Sequence, residues 1–209
     1  MSHHHNPALL PPDREEGTFN LMQSVKRRFY AMRNGMLAAQ MRHGGLDYRI
    51  NFGLNVPQIK DIATELTSGG HTADELTSLA NALWDNATTR ESRLLAPMIL
   101  PLEAATPQLA ARWMAQAQTT EVADMLCHSL LRRLGFAPAL AAEAMAVNDA
   151  TLGHYTPLRL IAALLASGRI SPDDAEKTMA AAPAEAGDAA MVKRLRAQIE
   201  QEISAQRSL

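Results

Sequence analysis

The sequence predicts an all-α chain, an α-solenoid of antiparallel helix hairpins, and three observations carry that reading. First, helix-start signals recur along the chain: Thr72-x-x-Glu75, Thr88-x-x-Glu91, Thr106-Pro107, Thr119 or Thr120, Ala137-Pro138, Thr156-Pro157 and Ser171-Pro172. Most of them join a side chain that accepts from first-turn N–H groups to a Glu or Pro suited to that turn. Second, the starts are evenly spaced. Thr72 to Thr106 is 34 residues, Thr88 to Thr120 is 32, and Pro138 to Ser171 is 33. Third, hydrophobic residues make up 47% of the chain but aromatics only 4%, and runs rich in Val, Thr or Tyr of the kind that form strands are absent.

A helix pair repeating at this period suits HEAT-like stacking, in which each hairpin buries one face against its neighbours and leaves a surface for a partner. At 209 residues the chain is long enough for one elongated domain with a continuous core. Residues 1–18 are expected to form a disordered tail and residues 19–209 the helical-repeat domain. The tail carries His3-His4-His5, two of its prolines and three acids without periodicity, a setting that favours solvated histidines over a metal site.

Each element has its own signal. Asn20 to Met41 shows Leu21, Val25, Phe29, Met32 and Met36 at helical spacing, interrupted at Asn34-Gly35. His43-Gly44-Gly45 is a loop, and an extended or turn segment then runs to Asn55, an N-cap with Pro57 in the first turn of a helix bearing Ile59, Ile62, Ala63 and Leu66. Gly69-Gly70 ends it. From Thr72, Leu76, Leu79, Ala80, Leu83 and Trp84 make one apolar face, and from Thr88, Leu94, Leu95, Met98 and Ile99 make the next. Leu109, Ala110, Trp113 and Met114 follow Thr106. The helix after Thr119 or Thr120 is expected to run through Arg133 to Gly135. Later helices span Ala139 to Val147 with Asn148 as C-cap, Thr156 to Ala166 ended by Gly168, Ser171 to Ala182, and a last one from near Asp188 bearing Val192, Leu195, Ile199 and Ile203. Trp84 and Trp113 both stand at core spacing, which favours packing over nucleobase stacking.

The single cysteine, Cys127, excludes an internal disulfide and a Cys-based metal cluster, and it points to a reducing, cytoplasmic compartment. No stretch approaches a membrane helix or the apolar core of a signal peptide. No cofactor fingerprint appears, so no cofactor is expected. Net charge is −2 overall. Lys26, Arg27, Arg28, Arg33, Arg42 and Arg49 nonetheless stand against Asp47 alone, and six minus one gives +5 locally.

Three stretches resemble the AlkD-like DNA alkylation repair family, whose members are HEAT-like helical repeats. Phe52-Gly53-Leu54-Asn55-Val56-Pro57 looks like that family's phenylalanine-glycine-valine lead into its second helix. Leu83-Trp84-Asp85 through Glu91-Ser92-Arg93-Leu94-Leu95-Ala96 is similar to its leucine-tryptophan and glutamate-x-arginine core. Glu121-Val122-Ala123-Asp124 followed by Cys127 is similar to its active-site helix. The resemblance implies that Asp124 is the catalytic aspartate of an alkylpurine DNA glycosylase and that Arg159 holds the DNA backbone. Two positions depart from the pattern. Thr120 stands where the family has a tryptophan four residues before the aspartate, and Tyr155 or Thr156 where it has a second aromatic. Weak base excision, or none, is the expectation.

In this light Asp124, His128 and Arg132, at i, i+4 and i+8, form a polar stripe that would face a cationic alkylated nucleotide. Its alternative is an exposed series worth a few tenths of a kcal/mol per pair. Cys127 next to His128 is read as a buried small side chain, since adjacent helical residues diverge by about 100°. Lys26, Arg27, Arg28, Arg33 and Arg42, extended by Arg132, Arg133 and Arg159, are read as phosphate contacts to duplex DNA, against the alternative of a solvated basic face. Two functions stay open: a DNA-binding repair protein, and a noncatalytic scaffold for a protein or peptide. The charge of the groove discriminates them.

Overall fold

A computed structural model describes residues 14–147, 151–182 and 189–208. Eleven α-helices make up the described residues: α1 (Arg14–Ala31), α2 (Gly35–His43), α3 (Val56–Ser68), α4 (Ala73–Asp85), α5 (Arg90–Ile99), α6 (Pro107–Ala115), α7 (Thr120–Ser129), α8 (Ala137–Ala146), α9 (Tyr155–Ala166), α10 (Pro172–Ala180) and α11 (Ala190–Arg207). The extended pairing among these residues is one isolated bridge between Ile50 and Thr89. The chain is all-α. Helices α3, α5, α7, α9 and α11 lie side by side, each packed on the next, while α4, α8 and α10 back α5, α9 and α11.

Where a start signal is local, the helix begins at it. Asn55 and Thr72 form complete capping boxes with Gln58 and Glu75, and Thr106, Thr119 and Ser171 each accept from the N–H three residues on. Each such cap satisfies an otherwise orphaned donor and is worth about 1 kcal/mol. Gly168, at φ 65°, ends α9 in a Schellman arrangement in which its N–H donates to Leu165 and that of Arg169 to Leu164.

Several expected boundaries are corrected. Residues 14–18, assigned to the tail, lie within α1, and His3, His4 and His5 fall outside the described residues. Thr88 does not cap α5. The N-cap is Thr89, without a side-chain bond, and the Glu91 side chain turns away to another segment. Helix α7 stops at Ser129, because Leu130 leaves helical geometry (φ −120°, ψ −68°) and a 3₁₀ turn, Leu131–Arg133, carries the chain on. Helix α9 begins at Tyr155 with His154 as N-cap, so Thr156 is a buried residue inside it. Asn148 lies outside the described residues, as does Asp188, and α11 begins at Ala190. Met36, assigned to the apolar row of the first helix, is 79% exposed, because the chain breaks before α2.

The middle of the core is an aromatic stack. Trp84 and Trp113 lie parallel, 4.4 Å apart and 8° from coplanar, and the Arg93 guanidinium covers the outer face of Trp84 at 4.4 Å. Both rings are fully buried. Neither is therefore free to stack on a nucleobase.

Beside this stack, the turn at Phe52–Leu54 is anchored by Glu91. Its carboxylate accepts from the N–H groups of Phe52 (3.2 Å), Gly53 (3.0 Å) and Leu54 (3.3 Å). Gly53 is at φ 74°, and a Cβ there would run into the Asn34 carbonyl oxygen. Only glycine fits.

Candidate functional site

Helix α7 carries acids three residues apart, Glu121 and Asp124, and each is met by an arginine from a different neighbouring helix. On one side Arg90 of α5 grips Glu121 with two nitrogens, Nε at 2.8 Å and an Nη that also pairs with it, while its other Nη donates to the Leu54 carbonyl at 2.8 Å. Glu91 stands beside it at 3.2 Å. Burial opposes the Arg90 charge, but Glu121 and then Glu91 outweigh it and raise its pKa above the ordinary arginine value. A buried, fully bonded cluster of this kind locks α5, α7 and the Phe52–Leu54 turn together.

On the other side Arg159 of α9 donates through Nε to Asp124 Oδ1 at 2.8 Å, and the Tyr155 hydroxyl donates to the same oxygen at 3.0 Å. Both charged side chains stay open to solvent, 38% for Arg159 and 42% for Asp124. Burial and the Asp124 charge push the Tyr155 hydroxyl up to about 12, so at neutral pH it is a donor to the carboxylate. The second oxygen, Oδ2, has no donor among the described residues.

This pair opens into a depression of about 180 Å³ between α7 and α9, lined by Asp124, Cys127, His128, Arg132 and Arg159 among others. Cys127 forms its floor. It is 1% exposed, its thiol donates to the Thr156 carbonyl at 3.6 Å, and burial pushes its pKa far above the thiol range, which removes it as a nucleophile. A second depression of about 440 Å³ adjoins it, lined by Lys60, Thr64, His128, Arg132 and Arg133 among others. His128 and Arg132 border both.

The structure therefore brings together Asp124, His128, Arg132, Arg133 and Arg159. It does not bring Lys26, Arg27, Arg28, Arg33 or Arg42 to either lining. Arg28 pairs with Glu65 of α3, and Arg33 folds back over the ring of its neighbour Tyr30 at 4.0 Å. Sequence reasoning missed Lys60 and Tyr155. For Tyr155 a signal existed: of the two residues that stand where a second aromatic was expected, the structure turns Tyr155 toward Asp124 and buries Thr156 completely. Thr120 opens α7 as its first residue, half-buried and without an aromatic face. Among the described residues no three His, Cys, Asp or Glu side chains gather as a metal-binding group, and no helix is long and apolar enough to cross a membrane.

Compared with known proteins, residues 25–152 match the model of one family, described as DNA alkylation repair enzyme. No curated protein matches the chain, and no solved structure does.

Proposed function

We propose, for a chain that belongs to the DNA alkylation repair enzyme family, that the surface of α3, α7 and α9 binds duplex DNA and that Asp124 faces the sugar and cationic base of an alkylated purine nucleotide. The observation that carries this reading is the Asp124 carboxylate, oriented by Tyr155 and Arg159 inside a rim of cations. Lys60, Arg132, Arg133 and Arg159 stand on the two linings against Asp124 alone, and four minus one gives +3. That balance favours nucleic acid over the alternative, a scaffold for a protein or peptide. Binding of this kind is sequence-indifferent and salt-dependent, with a Kd of about 1–100 μM at physiological salt.

The chemistry asked of Asp124 is electrostatic. An N-alkylated purine already bears positive charge, so the glycosidic bond breaks heterolytically with its electron pair neutralising the departing base. The sugar is left as an oxocarbenium-like cation, which a nearby carboxylate stabilises until water adds at C1′ and loses a proton. No strong general acid is required. A carboxylate is worth most where water is excluded, however, and Asp124 is 42% exposed with Thr120 rather than an aromatic four residues before it. Base excision is accordingly slow. The test is release of a 7-methylpurine from alkylated duplex by wild type and Asp124→Asn. Slow release by wild type and none by the variant is expected, and equal release by both removes Asp124 from the reaction.

A further inference from the structure

The larger depression, between α3, α5 and the end of α7, has no carboxylate on its lining. Lys60 reaches it from α3, and Arg132 and Arg133 from the 3₁₀ turn. Elsewhere arginines are tied to acids: Arg28 to Glu65, Arg90 to Glu121, Arg159 to Asp124, and Arg207 to Asp173 and Glu176. Among the described residues Lys60, Arg132 and Arg133 have no such counter-ion. Arg132 Nε donates to the His128 carbonyl at 2.8 Å and Arg133 Nη1 reaches the Ser129 carbonyl at 3.4 Å, which anchors both stems at the C-terminal end of α7. Three cations converge on one hollow without an anion to meet them.

His128 sits on the wall between this hollow and the Asp124 pocket. The charges around it come from Lys60 on α3, Arg132 and Arg133 on the turn, Arg159 on α9, and Asp124 one helical turn earlier; α5 contributes the neutral Met98. Burial first, then Arg132, Lys60 and Arg159, hold the imidazole below its ordinary pKa. It is neutral at pH 7 because its neighbours are cations.

We infer that this hollow is a second anion site, a seat for one backbone phosphate held by Lys60, Arg132 and Arg133, and that His128 takes up a proton as the phosphate arrives. The inference rests on the DNA-binding reading above. A phosphate placed there cancels the field that keeps the imidazole neutral and offers it an acceptor, so the bound state holds the proton more tightly than the free state. By linkage, affinity then rises as pH falls between the two pKa values and levels off outside them. One proton limits the rise to about tenfold per pH unit.

The experiment is the affinity of wild type for an unmodified duplex at fixed ionic strength, from about pH 8 to about pH 5.5, the span that brackets imidazole titration. A rise of about tenfold is expected across it, one proton's worth. His128→Gln should be flat, whereas His43→Gln and His71→Gln should keep the rise. Lys60→Ala should lower the slope of log affinity against log salt by about 0.9, the share of one phosphate contact. A flat wild-type profile, or a rise that survives His128→Gln, overturns the inference while leaving DNA binding intact. Absence of duplex binding at any pH sinks the DNA reading instead. The site is then judged on inorganic phosphate, which must shift the His128 NMR titration upward in wild type and not in Lys60→Ala/Arg132→Ala; no upward shift overturns it.

Discussion

Helix α7 is held by two arginine–carboxylate contacts that share their chemistry and differ in their surroundings. Arg90 and Glu121 are 1% and 27% exposed, whereas Arg159 and Asp124 are 38% and 42% exposed. In the dry contact every Arg90 nitrogen has an acceptor, supplied by Glu121, Glu91 and the Leu54 carbonyl. In the open one Arg159 bonds through Nε alone and Asp124 uses a single oxygen. Solvent access thus decides what an ion pair is for. The closed cluster is spent on joining α5, α7 and the Phe52–Leu54 turn, and the open one keeps donors and an acceptor for a ligand.

The largest expected effect comes from breaking the closed cluster. Arg90→Ala leaves Glu91 and the inner face of Glu121 without their cation and should cost about 3–5 kcal/mol of stability, read from denaturant unfolding. A loss under about 1 kcal/mol would mean that the cluster behaves like a surface pair. Gly53→Ala attacks the turn that the same cluster anchors, through its positive φ and the Asn34 carbonyl. It should cost about 1–3 kcal/mol by the same assay.

The open cluster should behave oppositely. Arg159→Ala is expected to change stability by less than about 1 kcal/mol, yet to weaken duplex binding and abolish whatever base release the wild type shows. A large stability loss there would erase the contrast between the two clusters. The smallest effect is spectroscopic. In an alkaline absorbance titration the phenol of Tyr155, isolated by difference from Tyr155→Phe, should ionise near pH 12. Because that folded value lies above the model value of 10.0, the stabilisation it reports is intact at neutral pH and is lost only as pH climbs through the folded value. Asp124→Asn should bring the midpoint down toward 10. An unmoved midpoint would mean that burial alone sets it.

What was legible in the sequence follows the range of the interactions. Asn55, Thr72, Thr106 and Ser171 start their helices as their motifs predict, because a cap is satisfied within three residues. Glu91 has the same spacing from Thr88 and does something else, since its carboxylate is drawn to backbone N–H groups 37 to 39 residues away. No local pattern records that. The end of α7 was misplaced for a related reason: the turn at Leu131–Arg133 places Leu131 in the core, which helical periodicity alone does not foretell. The stripe of Asp124, His128 and Arg132 was legible as a stripe. Lys60 joins it from α3, and that juxtaposition arises from stacking of helices distant in sequence. The basic run from Lys26 to Arg42 shows the converse: charge density alone does not place side chains at a site, and part of that run is already engaged by Glu65 and Tyr30.

The central claim, that the open face of α7 and α9 is where DNA binds, is tested most directly by the salt dependence of duplex affinity for wild type and Arg132→Ala/Arg159→Ala. The account predicts an unchanged unfolding midpoint and a slope of log affinity against log salt reduced by about 1.8, two phosphate contacts at about 0.9 each. A variant that binds with the wild-type slope would contradict it.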